Sequence, residues 1–201
     1  MPARIGNRRV SGSRAALMGA VVALVGARGT TAVTVSDIAE AADVSRQLVY
    51  QQFGDRDTLL LEAALDLAER ELMPRITEGR LSGRERVVAA ARHFAEYRSY
   101  YRAMLTGPVA YALAKALNDL LSPLNQRLVH RMSDQRLSPE LVEDLTGFLV
   151  GGSAAVFNRW VVEGPDLLDP EPFADRLLQV LSVIADRRQP TSTDLDKEQS
   201  G

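Results

Sequence analysis

Val35-Ser-Asp-Ile-Ala-Glu-Ala-Ala-Asp-Val-Ser-Arg-Gln-Leu-Val-Tyr-Gln-Gln-Phe53 is the stretch on which the fold turns. Thr34, just before it, has the side chain of an N-cap whose hydroxyl accepts the amide of Asp37, and Asp37 places a carboxylate in the first turn, where the helix dipole favours it. A helix over Val35 to Ala42 follows, then Asp43, Val44 and Ser45 as a tight turn. Ser45 caps a second helix from Arg46 to Phe53. This is the spacing of a helix-turn-helix, with the small Ala39 where two crossing helices would touch. Ile38, Ala42, Val44, Val49 and Phe53 can meet the preceding helix as one core, which leaves Arg46, Gln47, Tyr50 and Gln51 projecting from the other side. Arginine pairs with guanine and glutamine with adenine in the major groove, tyrosine can bond phosphate, and Arg56 beyond the helix can clamp the backbone. An amphipathic helix pair with a plainly solvated polar face has the same pattern, so spacing alone leaves both readings open.

Working outward, apolar residues recur at helical spacing nearly everywhere, and Val33 to Val35 is the only β-like hint. The expectation is an all-α chain. A first helix over about Ser13 to Ala27 stops at Gly29, a suitable left-handed C-cap. After Gly54, Asp55 caps a long helix to roughly Glu78, which Pro74 is expected to kink. Further helices are expected at about Arg84 to Leu105, Pro108 to Leu121, Leu124 to Gln135, Pro139 to Val162 and Pro170 to Arg188. Residues 189–201 are polar, without apolar periodicity, and read as a disordered tail. The expected organisation is residues 1–54 as a three-helix domain with a basic arm, 55–188 as a second helical domain, and 189–201 as the tail.

Composition removes several classes of chemistry. The 201 residues are 46% hydrophobic and 25% charged, and they hold no cysteine and only two histidines. Disulfides, thiolate metal sites and cysteine nucleophiles are thereby excluded, and zinc has little to bind. No run approaches the length of a spanning helix and no secretory leader is evident, which reads as a cytoplasmic protein with no membrane partner. Net charge is -2, yet residues 1–56 carry seven arginines against four acids, so the basic end is the N-terminus. Arg4, Arg8, Arg9 and Arg14 form an arm suited to phosphate or the minor groove, or equally a solubilising tail. Gly151-Gly-Ser-Ala-Ala imitates a nucleophile elbow only until its last residue, and it has no strand before it. No catalytic constellation, phosphate loop or cofactor motif is evident, and the chain reads as a non-enzyme with no cofactor.

The run from Thr34 to Leu60, with Asp37-Ile-Ala-Glu-Ala-Ala, Val44-Ser-Arg, Val49-Tyr and Phe53-Gly-Asp-Arg-Asp-Thr-Leu, resembles the DNA-binding domain of the TetR family of bacterial transcriptional regulators. Asn158-Arg-Trp-Val-Val-Glu is similar to the penultimate helix of many members. Two positions depart from the family pattern: Asp43 stands where glycine is usual in the turn, and Val25 where an aromatic is common. The resemblance implies Thr34 and Ser36 near phosphates or the groove edge. It also implies Arg46, Gln47, Tyr50, Gln51 and Gln52 on the recognition helix, with Arg56 opening the fourth helix.

The same resemblance implies a homodimer and an effector cavity. Gly151, Gly152 and Ala155 form a small-residue patch that lets another helix approach closely. With the stripe of Phe173, Leu177, Val180, Leu181 and Ile184 they are similar to the family's four-helix dimer interface, although both stripes could instead close the monomer core. Phe94, Tyr97, Tyr100, Tyr101, Met104, Tyr111, Phe148, Phe157 and Trp160 form an aromatic band, with Arg98, Asn158, Arg159, His93 and His130 as polar neighbours. Plain core is the other reading of such a band. The expected ligand site is Phe94, Tyr97, Arg98, Tyr101, Met104, Tyr111, Phe148 and Asn158. The expected dimer contacts are Gly151, Gly152, Ala155, Leu177 and Leu181. His93 and Glu96 are placed for a metal, but a helix-surface pair is the usual case. Together these imply a repressor that leaves a palindromic double-stranded DNA operator when a small hydrophobic effector binds. The alternatives are a constitutive DNA-binding factor and a helical-bundle carrier or enzyme.

Overall fold

Ten α-helices and one π turn account for every regular element among the described residues. The computed structural model describes residues 3–79, 81–132 and 137–186, with side-chain surroundings for 12–79, 81–130 and 137–183. The tail expected at 189–201 lies outside the described residues, as do the side chains of Arg4, Arg8 and Arg9. No strand forms at Val33 to Val35.

Helix α1 spans Ala3–Arg28, starting ten residues before the apolar pattern begins. It buries Leu17, Val21 and Val25 completely. It ends at Gly29, whose φ of 62° is the left-handed cap its position demands. Helix α2 covers Val35–Ala41 and α3 Arg46–Phe53. Each starts at its expected cap: Thr34 forms a full capping box with Asp37, and the Ser45 hydroxyl accepts from the Leu48 amide.

Asp55 caps α4, Arg56–Leu67, which runs through a π turn, Ala68–Leu72, into α5, Met73–Thr77. The expected kink at Pro74 takes this form. A proline cannot donate to the preceding turn and crowds it, and the widened turn lets the Met73 amide reach back to the Ala68 carbonyl instead.

Two expectations about helix ends are corrected. Residues 84–105 are two helices, α6 (Gly83–Glu96) and α7 (Arg98–Thr106), separated at Tyr97, whose φ of -102° and ψ of 26° leave the helical region. Conversely, the expected break before Leu124 is absent, and α8 runs through Pro123 from Ala110 to Met132. The Ser122 hydroxyl and the Asn125 amide donate to the carbonyls of Asn118 and Leu121, at 2.9 and 3.1 Å. Leu113, Leu117 and Val129 stay buried on either side of the proline, and packing on α9 holds the helix together where propensity would break it.

Helix α9, Pro139–Glu163, packs along α8, and α10, Pro170–Asp186, along α6. Helix α9 is the one described helix long and apolar enough on average to cross a membrane. One continuous apolar core runs from Leu17 on α1 to Leu177 on α10, so the N-terminal helices are not a separately packed bead. Helix α7 contributes to this union. The Ser99 hydroxyl donates to the Gly26 carbonyl at 2.6 Å, and Gly107 lies so close to Thr31 that a Cβ there would sit 2.7 Å from the threonine hydroxyl.

Candidate functional site

The turn between α2 and α3 sets the angle of the helix pair. Asp43 holds a φ of 53°, a left-handed conformation that aspartate tolerates better than most residues. The Asp43 amide donates to the Glu40 carbonyl and the Val44 amide to the Ala39 carbonyl, at 3.1 and 3.0 Å. Ile38, Ala39, Val49 and Phe53 are buried, and Arg46, Gln47, Tyr50 and Gln51 are exposed. These four recur at one and four residues apart and therefore share one side of α3. Thr34 and Ser36 are exposed at the start of α2. Asp37 is tied to both neighbours: the Arg28 guanidinium first, and then Thr34, lower its carboxyl to about 2.

One expected DNA-contact residue and one arm residue sit differently. Gln52 is half-buried, and both atoms of its side-chain amide are shielded from solvent with no hydrogen-bond partner. It faces inward and is corrected from the groove-facing set, because it falls one residue past the exposed stripe on α3. Arg14 is not part of a free arm. Its guanidinium lies 4.3 Å over the Phe53 ring, donates to the Gln52 carbonyl at 3.1 Å and pairs with Glu62, stapling α1 to α3 and α4. Arg56 remains at the surface, where it pairs with its neighbour Asp57 at 2.8 Å.

The second half of the site is a cavity of about 240 Å³. Leu72 and Ile76 wall it from the π turn and α5, Val87, Ala90 and Phe94 from α6, and Leu105 from α7. Leu117, Leu121 and Leu124 close it from α8, Phe157 and Asn158 from α9, and Leu177 and Leu181 from α10. The few polar side chains on its wall are Arg86, Asn125, Ser153 and Asn158. An apolar box with a handful of polar groups is the usual form of a small-molecule site.

Of the expected ligand residues, Phe94 and Asn158 line this cavity and the others do not. Tyr101 is fully buried, and its hydroxyl lies 2.8 Å from Nε2 of the equally buried His93. Met104 is core beside it. The Tyr97 hydroxyl donates to Glu71 at 2.7 Å, which together with burial raises its own pKa to about 12. Tyr111 and Phe148 are 85% and 59% exposed and face away from the cavity. Arg98 instead holds the chain together: Nε donates to Val161, Nη2 to Gly164, and Nη1 to Pro165 and Asp166, all backbone carbonyls at the end of α9. A cation among the orphan carbonyls of a helix C-terminus is doubly favoured, by hydrogen bonding and by the dipole.

Leu177 and Leu181 are also corrected. Leu177 is 2% exposed and both line the cavity, so they turn inward, whereas Gly151, Gly152 and Ala155 lie exposed on α9. Val180 and Val183 are the apolar residues that α10 presents outward. His93 and Glu96 do not converge, since Glu96 pairs with Arg75 at 2.7 Å, and no group of three or more metal-binding side chains forms among the described residues. Ser153 sits mid-helix in α9 rather than on a strand-to-helix turn. The cavity residues missed by sequence reading are mostly leucine, alanine and valine. Their signal was helical periodicity, which marks a core wall and a cavity wall alike.

The profile of bacterial regulatory proteins of the tetR family matches residues 17–63, the second half of α1 through most of α4. No curated protein matches the chain. Among solved structures, a TetR-family transcriptional regulator from Rhodococcus sp. shares 20% identity over 87% of this chain and 99% of its own, with a TM-score of 0.62. The TetR family repressor AlkX from Dietzia sp. shares 23% over 86% and 95%, with a TM-score of 0.58. The fatty acid degradation regulator FadR from Bacillus halodurans shares 17% over 83% and 96%, with a TM-score of 0.57. These likenesses extend the shared fold over nearly the whole chain. With the profile lying on the capped helix pair and its exposed polar side, the helix-turn-helix domain of this chain is that of the tetR family of bacterial regulatory proteins.

Proposed function

We propose that the chain is a ligand-responsive DNA-binding transcriptional regulator, acting as a cytoplasmic homodimer and leaving a palindromic operator when a small, mainly apolar molecule fills the cavity. The observation that carries this reading is continuity. The helical run that opens with Arg56 beside the recognition helix continues through the π turn to Leu72 and Ile76, which are cavity wall. A ligand that presses on Leu72 and Ile76 biases the position of α4, and α4 carries α3. Two recognition helices, held about one turn of DNA apart by a two-fold axis, then lose their spacing.

The dimer follows from α9. The apolar stretch of this helix is only 28% buried within one chain, and Leu141, Phe148, Gly151, Gly152 and Ala155 share its outer side, while α10 presents Val180 and Val183 outward. An isologous pairing of these faces would cover them and would match a palindrome.

Selection of bound DNA from a random pool tests the reading, with an enriched palindrome expected. On that operator, Arg46→Ala should cost about 1–3 kcal/mol and relax specificity, whereas Arg56→Ala should weaken all DNA alike and flatten the salt dependence. An unenriched pool, or equal and sequence-independent losses in the two variants, would count against it.

A further inference from the structure

Arg84, Arg86 and Arg92 lie on one helix and fare differently. Arg84 pairs with Asp175 and Glu171 at 2.7 and 2.9 Å, and Arg92 pairs with Glu171 at 2.6 Å, which fastens the outer side of α6 to α10. Arg86 is turned to the inside. It is half-buried, lines the cavity, and its Nε is shielded from solvent without a hydrogen-bond partner. Among the described residues no carboxylate pairs with it. Asn125, the polar wall group opposite on α8, has its amide committed to the Leu121 carbonyl.

A guanidinium nitrogen shielded beside a mainly apolar wall is costly to leave without a partner, and the planar fork of arginine matches a carboxylate with two parallel hydrogen bonds. The rest of the wall fixes the other end of the guest. Phe94 stands eight residues further along α6 than Arg86, about 12 Å at the helical rise. Between them come Val87 and Ala90, with Leu117, Leu121 and Leu177 facing them from α8 and α10.

We propose that the effector is an amphipathic carboxylate, whose head pairs with Arg86 and whose apolar body lies along α6 toward Phe94. This rests on the cavity being the effector site and narrows the effector to an anion with a hydrocarbon body.

The test is calorimetry on the full chain without DNA, using decanoate, dodecanoate and naphthoate, each against its uncharged alcohol: decanol, dodecanol and naphthylmethanol. At least one carboxylate should bind at least tenfold tighter than its alcohol. In Arg86→Met that ratio should fall to within about threefold of unity, and in Arg86→Lys the preference for the carboxylate should persist. Melting curves identify a variant that fails to fold, and in that case the wild-type ratio still decides. Equal or tighter binding of every alcohol, no saturable binding of any carboxylate, or an undiminished ratio in folded Arg86→Met overturns the proposal. Operator release is measured separately. A carboxylate that binds through Arg86 yet leaves the operator complex intact sinks the regulatory reading, and with it the name effector, but leaves the carboxylate site at Arg86 standing.

Discussion

Asp43 occupies the left-handed region at the pivot of the helix pair, where a Cβ costs about 1–2 kcal/mol and glycine costs none. Asp43→Gly is therefore expected to stabilise the protein by about 1 kcal/mol, less than the full figure because glycine also loosens the unfolded chain. A rise in the urea midpoint at unchanged slope would register this, and a fall would show that the aspartate makes a contact worth more than its strain. His93 offers a second residue-scale measurement. Burial first, and Arg75 nearby, lower its pKa from the ordinary 6.5 to about 4. The folded state holds the ring neutral while the unfolded state takes up a proton below 6.5, so stability is full above that value and is lost as pH falls toward 4. Between pH 7 and pH 5 the loss should be about 1–2 kcal/mol, and it should vanish in His93→Gln. Equal pH dependence in the two proteins would assign it to other groups.

At the scale of the element, Arg98 makes the end of α9 rather than a ligand contact. Arg98→Met should cost about 2–4 kcal/mol through four lost charge-assisted hydrogen bonds, and hydrogen exchange should quicken first at residues 161–168. Uniform quickening over the whole chain would refute the local assignment. Arg98 also marks the limit of what was legible in sequence. Thr34, Ser45, Asp55 and Gly29 announced their helix ends because caps act within four residues, and the exposed stripe on α3 followed from its buried one. Partners sixty or more residues away left no such trace, as with Arg98 and the α9 carbonyls. Helix breaks went astray for the same reason. Tyr97 leaves the helix with its hydroxyl bonded to Glu71 on the π turn, and Pro123 stays in one because leucines on both sides of it are packed. Apart from Phe94 and Phe157, the aromatic residues that stood out in the sequence proved to be core or surface, while plain aliphatic residues form most of the cavity.

For the whole molecule, the decisive measurement is assembly. Gly152→Arg or Ala155→Glu should leave a folded monomer that binds the operator far more weakly, because each puts a bulky charge on the exposed apolar side of α9. Sedimentation that finds a wild-type monomer at micromolar concentration with full operator affinity would remove the dimer from the mechanism. A last consequence lies in how the reading head is mounted. It is joined to the rest of the chain through α4, and it is also gripped by α7, at Gly26 through Ser99 and at Thr31 through Gly107. Support from two separate elements leaves fewer directions of movement than a single hinge would. Both supports border the cavity, Leu72 following α4 and Leu105 on α7. Under the proposed mechanism, a guest that swells the cavity would spread these supports, and the recognition helix would be steered along much the same path whatever the guest's shape.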